Sequence, residues 1–253
     1  MSICREKGIV LSSRLINEND ILITFLPENS VKRKLLAKGL KKSKRRPVAA
    51  SEPAAYIEVD FYEKNRNVFY IKELVLLERF ELIKSSYGGF LLITYFAELV
   101  DMILQENEIT SDYFVLLFSA LQTLEKKKYA PSLLPYFKYK LGLLSGMALT
   151  DFHCSKCNKN VESMISAHIS HMDMSVICEE CNQGYGNDLG LVQILNLFAQ
   201  KKYAEIYLIQ MEQKQILATD VFLNHFLNAY LGREVKSQGV LYDYLGENYE
   251  LSY

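Results

Sequence analysis

Two cysteine pairs constrain the folding of this chain more tightly than any other feature. Cys154 and Cys157 form one CxxC, Cys178 and Cys181 a second, with twenty residues between the pairs. Two thiolates separated by two residues fit a tight knuckle that presents both sulfurs to one metal ion. Two such knuckles complete a tetrahedral four-sulfur site. The chain between them must then fold back on itself, and residues 168–177 read as the hairpin that does so. Zinc suits four sulfurs, with iron in a rubredoxin-like site as the lesser alternative. Four thiolates saturate the ion and leave no position for water, so the expected role is structural. His153, His168 and His171 could replace a ligand, but with four cysteines available they read as surface or hairpin residues. Cys4 lies far away and reads as an ordinary strand residue.

The rival reading of the cysteines is disulfides. The N-terminus MSICREKGIV lacks the apolar core of a signal peptide. The strongest apolar stretch, residues 89–100, contains Glu98 and is too short to span a bilayer. A cytoplasmic protein is the simplest expectation, and disulfides are rare there.

Hydropathy changes period once along the chain. Up to about residue 79 apolar positions alternate: Ile9 and Leu11, then Ile21, Ile23 and Phe25, then residues 55–62 and 68–77. Residues 27–30 (PENS) are a turn signal that makes 20–26 and 31–40 a hairpin, and residues 64–67 form a second turn. About five strands in eighty residues predict a small barrel such as an OB-fold, with an SH3-like barrel as the alternative. After Glu78 the pattern is helical. Ser85 or Ser86 caps a helix to about Glu106, with Phe90, Ile93, Phe96, Ala97, Val100 and Leu104 on one side. Ser111 and Asp112 cap a second helix that buries Leu116, Leu117, Ala120, Leu121 and Leu124. Lys126, Lys127 and Lys128 close it favourably against the helix dipole. Pro131 opens a third that ends near Gly146. Asp188 precedes a helix over 191–200, residues 203–210 form another, and Thr219–Asp220 cap 221–231, which Gly232 ends. The fold class is therefore α+β. An OB-fold occupies residues 1–80. A helical domain occupies 81–253, with a zinc-binding insert at about 150–186.

The net charge of −1 conceals a division. Residues 1–80 carry sixteen Lys/Arg against ten Asp/Glu, or +6; the remainder carries thirteen against twenty, or −7. The excess is concentrated in residues 31–46, VKRKLLAKGLKKSKRR, where nine of sixteen residues are basic and none is acidic. These are Lys32, Arg33, Lys34, Lys38, Lys41, Lys42, Lys44, Arg45 and Arg46. Mutual repulsion disfavours such a cluster unless a polyanion relieves it, and phosphate backbones are the commonest polyanions. A basic run can equally be a solvated surface. Its setting among strands bearing Phe25, Tyr56, Phe61, Tyr62, Phe69 and Tyr70 favours nucleic acid, because single strands are held by cations along the backbone and rings against the bases. Alternation sends one ring of each adjacent pair inward, and Tyr62 and Tyr70 are expected outside because their hydroxyls tolerate water. The cations carry no base-reading pattern, so binding is expected to be largely independent of sequence.

No P-loop, GxSxG, HExxH or dinucleotide fingerprint is present. Glu58 and Asp60 share a strand face and read as solvated, and His225 on an amphipathic helix reads as structural. No enzyme activity is expected.

Taken in order, these segments resemble the RecO family of bacterial recombination mediators. Residues 20–25 (DILITF) followed by Ala37-Lys38-Gly39 and Lys41-Lys42-Ser43-Lys44-Arg45 are similar to the family's first-domain signature. Residues 141–144 ahead of the cysteines, and 231–237 (LGREVKS), are similar to its middle and its C-terminal segment. The turn at 27–30 lacks the glycine usual in that hairpin. The resemblance implies an OB-fold, a helical domain and an inserted zinc site. It implies binding of single- and double-stranded DNA, annealing of complementary strands, and help in loading recombinase onto strands coated by single-strand-binding protein. It also implies work alongside RecR, and RecF in many bacteria, contact with single-strand-binding protein, and a place at the bacterial nucleoid. An RNA-binding or ribosome-associated zinc protein of similar design is the alternative.

Overall fold

A computed structural model describes residues 3–65, 68–105, 107–126, 131–170, 173–184, 186–206 and 209–248. The chain divides into two compact units. One comprises Met1–Tyr129 with Glu234–Tyr253; the other is Ala130–Arg233.

The first unit begins with five strands: β1 (Ile3–Leu15), β2 (Ile21–Pro27), β3 (Arg33–Ala37), β4 (Tyr56–Asn65) and β5 (Val68–Glu78). They close in the order β1-β2-β3-β5-β4, with β4 returning to pair with β1. All contacts are antiparallel except β3 with β5, which run parallel through Leu35↔Phe69 and Leu36↔Tyr70. This is the OB-like barrel that the alternation predicts. Its interior holds Val10, Ile23, Phe25, Leu35, Ile57, Val59 and Phe61, each 0–1 % exposed. Gly8 is required where β1 crosses β2, since a Cβ there would lie 2.2 Å from the Leu26 carbonyl oxygen.

The β2–β3 hairpin turns at 27–30 without glycine because it is held from outside. Thr110, fully buried, donates to the Pro27 carbonyl at 2.6 Å, and its own amide donates to the Ser30 carbonyl at 2.9 Å. Thr110 directly precedes α3 (Ser111–Lys126), and the Phe114 amide donates back to the Thr110 carbonyl, so the helix is entered one residue earlier than the Ser111–Asp112 signal suggests. α3 buries the five leucine and alanine positions expected of it. Lys127 and Lys128 lie outside the described residues, as do Arg66 and Asn67 of the second turn.

α1 (Glu81–Lys84) receives the Glu125 carboxylate on the amides of Leu82 and Ile83. α2 (Tyr87–Ile103) is capped by Ser86, which accepts from the Gly89 amide. Its predicted stripe is too narrow. Leu91, Leu92, Tyr95 and Leu99 are buried as well, while Phe90 is 41 % exposed, because α2 packs on β1, α3 and the last helix. That last helix, Lys236–Asn248, has no counterpart in the sequence pattern. The Glu98 carboxylate holds its first turn, accepting from the Lys236 and Ser237 amides at 3.0 and 2.9 Å and from the Ser237 hydroxyl at 2.6 Å.

The second unit contains α4 (Leu133–Leu144), the hairpin β6 (Ala167–Ser170) and β7 (Ser175–Cys178), α5 (Leu189–Gln200), α6 (Tyr203–Ile206) and α7 (Gln213–Leu231); the helix from Lys236 is α8. Two helix starts differ from expectation. α7 begins six residues before Thr219, under a reciprocal cap between Glu212 and Gln215. Thr219 and Asp220 are buried inside it, and Asp220 pairs with Lys138. Asp188 stands at the N-cap of α5, but its carboxylate accepts from the Ile169 amide at 2.9 Å and does not cap the helix. α6 ends at Ile206, and residues 207 and 208 of the longer predicted helix are not described. Among the described residues no helix is long and apolar enough to cross a membrane.

Candidate nucleic-acid interface and metal centre

The nine cations of residues 31–46 separate into two groups. Lys32, Arg33 and Arg46 turn toward the protein; Lys34, Lys38, Lys41, Lys42, Lys44 and Arg45 are exposed. Lys32 donates to the Asp101 and Leu104 carbonyls at the C-terminus of α2 and to the Asp101 carboxylate. All three ammonium protons are engaged, so Lys32 leaves the candidate phosphate-binding set. Arg33 lies over the rings of Phe61 and Phe69, 5.5 and 5.1 Å from their centroids, with Glu6 3.5 Å away. Arg46 donates to the Lys38 carbonyl and, at 3.5 Å, to that of Ile71. These three cations build the surface; the other six present it.

Only Arg33 and Lys34 of the run lie on β3; from Lys38 onward it is a connector with its own structure. Gly39 takes left-handed backbone (φ 61°), and its amide donates to the Asp20 carboxylate at 2.7 Å. That hydrogen bond, helped by Asn17, holds the Asp20 carboxyl below its ordinary range. The Lys41 amide donates to the Asn19 carbonyl, and Leu40 plugs the barrel at 0 % exposure. The Ser43 hydroxyl accepts from the Arg46 amide at 2.8 Å. The loop is thus braced at both ends, with its exposed cations between. Among the described residues none of the six exposed cations lies in an ion pair.

The aromatic residues divide as alternation requires. Phe25 and Phe61 are interior, and Phe69 meets Phe61 edge-on at 5.7 Å. Tyr62 and Tyr70 are half-buried on the outer face, stacked at 5.9 Å and 22°. Lys38 lies 5.1 Å from the centre of the Tyr70 ring, which brings the basic loop and the outer rings together. Tyr56 belongs elsewhere. It packs against Phe114 and Phe118 of α3, and desolvation together with its hydrogen bond to Glu28 pushes its hydroxyl up to about 12. Asp60 is held by Arg5 at 2.6 Å, and Glu58 lies 3.9 Å from Lys7, so this face carries paired charges.

In the second unit, β6 and β7 pair Ala167 with Cys178, and Cys154 bridges to Val176. This returns the second cysteine pair to the first. The sulfurs of Cys154, Cys157, Cys178 and Cys181 all lie within 4.8 Å of one another, with Cys157 and Cys178 3.6 Å apart. A tetrahedron with metal–sulfur bonds of about 2.3 Å has edges of about 3.8 Å, so the donor set fits zinc. Burial alone would raise the Cys154 thiol. Amides of Cys178, Cys157 and Lys156, with the Cys157 side chain, outweigh it and bring the thiol to about 6. The Cys157 hydrogen bond and burial push Cys181 up to about 12. Glu179, between the second pair of sulfurs, braces both knuckles: it accepts from Lys159 and from the Ile165 and Ser166 amides. Those contacts join residues 13–20 apart and have no sequence signature. His153 faces Asp151 and His168 faces Asp188; neither is in the cluster, and His171 lies outside the described residues. Cys4 is exposed on β1, and His225 packs edge-on against Phe226.

Comparison with known proteins matches residues 1–80 to the family described as Recombination protein O N terminal and residues 85–239 to Recombination protein O C terminal. DNA repair protein RecO of Leptospira biflexa is 29% identical over 248 residues, covering 98% of this chain and 100% of that protein. The protein of the same name from Caldanaerobacter subterraneus is 24% identical, covering 94% of this chain and 97% of its own. That of Clostridium acetobutylicum is 27% identical over 74% of each.

Proposed function

The chain belongs to the recombination protein O family of DNA repair proteins, and from that premise we propose that it is a non-enzymatic recombination mediator. It binds single- and double-stranded DNA, anneals complementary strands, and helps load recombinase onto strands coated by single-strand-binding protein. Its protein partners on this reading are RecR, RecF and single-strand-binding protein. One observation carries the DNA-binding step: a braced loop beside an OB-like barrel displays Lys38, Lys41, Lys42, Lys44 and Arg45 with no carboxylate paired to them among the described residues. Lys34 extends the same charge along β3.

The mechanism follows from electrostatics. The exposed ammonium and guanidinium groups displace counterions condensed on the phosphates, and that release drives binding. Two strands drawn to one cationic surface repel each other less, which raises their local concentration for pairing. Tyr62 and Tyr70 supply ring faces for bases. Cys154, Cys157, Cys178 and Cys181 hold structural zinc, which crosslinks the two knuckles.

The test is strand annealing of complementary oligonucleotides, bare and coated with single-strand-binding protein, for the wild type and for Lys41, Lys42, Lys44 and Arg45 reversed to Glu. The wild type should accelerate annealing, with a log–log salt slope for single strands of about −0.7 per phosphate contact. The reversed variant should lose both binding and acceleration. Affinity insensitive to salt would rule the mechanism out.

A further inference from the structure

Where the chain leaves the barrel, it forms an apolar corner rimmed by carboxylates. Along the end of β5, alternation turns Leu74 and Leu76 toward the core and Val75 and Leu77 outward. α1 is a single turn that buries only Ile83, so Leu82 faces solvent. Val75, Leu77 and Leu82 are 49, 40 and 69 % exposed. Leu76, Leu77 and Leu82 line an open cleft of about 410 Å³, together with Arg79 and the carboxylates of Glu78, Glu81 and Glu125. The corner is firmly held. Phe80 takes left-handed backbone (φ 57°), which a bulky residue adopts only under constraint. One oxygen of Glu78 accepts from the Arg79 and Phe80 amides, and Glu125 holds the amides of Leu82 and Ile83. Arg79 is drawn aside: its guanidinium donates twice to Glu52, and Glu81 lies 3.5 Å from it.

We infer that this cleft docks a protein segment that presents leucine-type side chains beside lysine or arginine, as one face of a basic amphipathic helix does. Three carboxylates against one guanidinium give the cleft the opposite sign to the loop of residues 38–46. Phosphate backbones and acidic peptides are repelled there. A cationic rim is attracted, and complementary charge decides which partner is accepted. The apolar side chains supply affinity, because grouped exposed leucines shed water when an apolar anchor fills the space between them. The apolar surface continues past the cleft onto Val75, so a small molecule would leave part of it wet, whereas a helix face covers it. The site is separate from the phosphate-binding loop. Arg46 closes that loop on the Ile71 carbonyl, and Leu76 stands five residues further along β5, roughly 16 Å at strand rise. DNA on the loop and a partner in the cleft are therefore compatible, and the inference stands independently of the DNA-binding reading.

The probe is a fluorescein-labelled peptide of about four helical turns, with leucines on one face and lysines on the other. Two further peptides replace its lysines with glutamate or its leucines with serine. Anisotropy should record binding of the first alone, and amide shifts of the wild-type protein should move at residues 75–83. Leu82→Ser should weaken the affinity about tenfold. Glu81→Lys should weaken it at low salt and flatten its salt dependence. Lys42→Ala, in the DNA loop, should leave it unchanged. Leu82 and Glu81 are exposed, so both variants should melt with the wild type. Failure of the first peptide to bind overturns the inference. So does equal binding of the serine peptide, which would be charge attraction alone, or preference for the glutamate peptide. Binding untouched by both cleft variants overturns it as well. Self-association of the wild type that Leu82→Ser abolishes would give the cleft to a second copy of this chain and overturn the basic-helix partner. None of these outcomes bears on the loop, whose own test is salt-dependent retention of oligonucleotides.

Discussion

Lys32 donates to the Leu104 carbonyl at 2.9 Å, tying the start of β3 to the end of α2. The same ammonium donates to the Asp101 carbonyl at 2.6 Å and to its carboxylate at 2.9 Å. Carbonyls in the last turn of a helix lack intrahelical partners, and a cation there also suits the helix dipole. Lys32→Met should therefore cost about 1–3 kcal/mol of stability in denaturant titration and leave DNA affinity within about twofold, since no phosphate contact is lost. Lys42→Ala should do the opposite: unchanged stability and a single-strand salt slope shallower by about 0.7. Equal effects of the two variants on affinity would show that Lys32 also meets phosphate.

Asp20 controls the shape of the basic loop through one hydrogen bond, from the Gly39 amide. That amide and the Asn17 side chain depress the carboxyl below its ordinary 3.8. A group whose pKa is lower in the folded chain stabilises it above the unfolded value, and the contribution disappears as pH falls through the folded value. The loop should thus be unaffected by this titration across neutral and mildly acidic pH and should loosen only below 3.8. The amide chemical shift of Gly39 reads the event directly. Its acid midpoint should lie below 3.8, and Asp20→Asn should abolish the transition. A midpoint at or above the ordinary value would remove Asp20 from this role.

What the sequence discloses is what repeats locally. Phe61 and Tyr62 fall on opposite faces because strand geometry leaves no alternative, and the spacing of two CxxC pairs already implies a hairpin between them. Long-range contacts leave no such mark. Lys32 and Lys42 are the same residue ten positions apart in one basic run, and only the helix that meets the first distinguishes them. Thr219–Asp220 looks like a helix cap because short polar residues cap helices, yet Asp220 answers a lysine 82 residues away. α8 was missed for a related reason: Gly239 and Gly246 dilute its pattern, and its first turn is held by Glu98, 138 residues upstream.

The cysteine cluster should govern the stability of its unit. Cys154→Ser removes the most buried end of the first knuckle and leaves three donors. Metal analysis should find one zinc per chain in the wild type and none in the variant. Structural zinc contributes directly to folding, so the variant should melt lower by roughly 5–10 °C, each kcal/mol being worth about 2–4 °C in a chain of this size. Chelation of the wild type should reproduce the shift, and added zinc should reverse it. Identical melting and metal content for the two proteins would refute the assignment.

Lys138 and Asp220 form the most deeply buried ion pair among the described residues, 2.6 Å apart with side chains 0 % and 5 % exposed. Asn224 also accepts from the ammonium, at 2.8 Å. Burial pulls the ammonium down to about 8, against the attraction of Asp220, so desolvation is the larger effect at this site. A pair of this kind contributes little net stability while intact but is expensive to break, because the remaining partner is left buried with its charge unanswered. Asp220→Ala should therefore destabilise the chain by about 3–5 kcal/mol. Replacing both partners, Lys138→Met with Asp220→Leu, should recover most of that loss, since neither charge then needs solvation. The measurement is a double-mutant cycle in denaturant. A double variant as unstable as the sum of its singles would mean that the two groups do not act on each other, and the pair would have no part in holding α4 to α7.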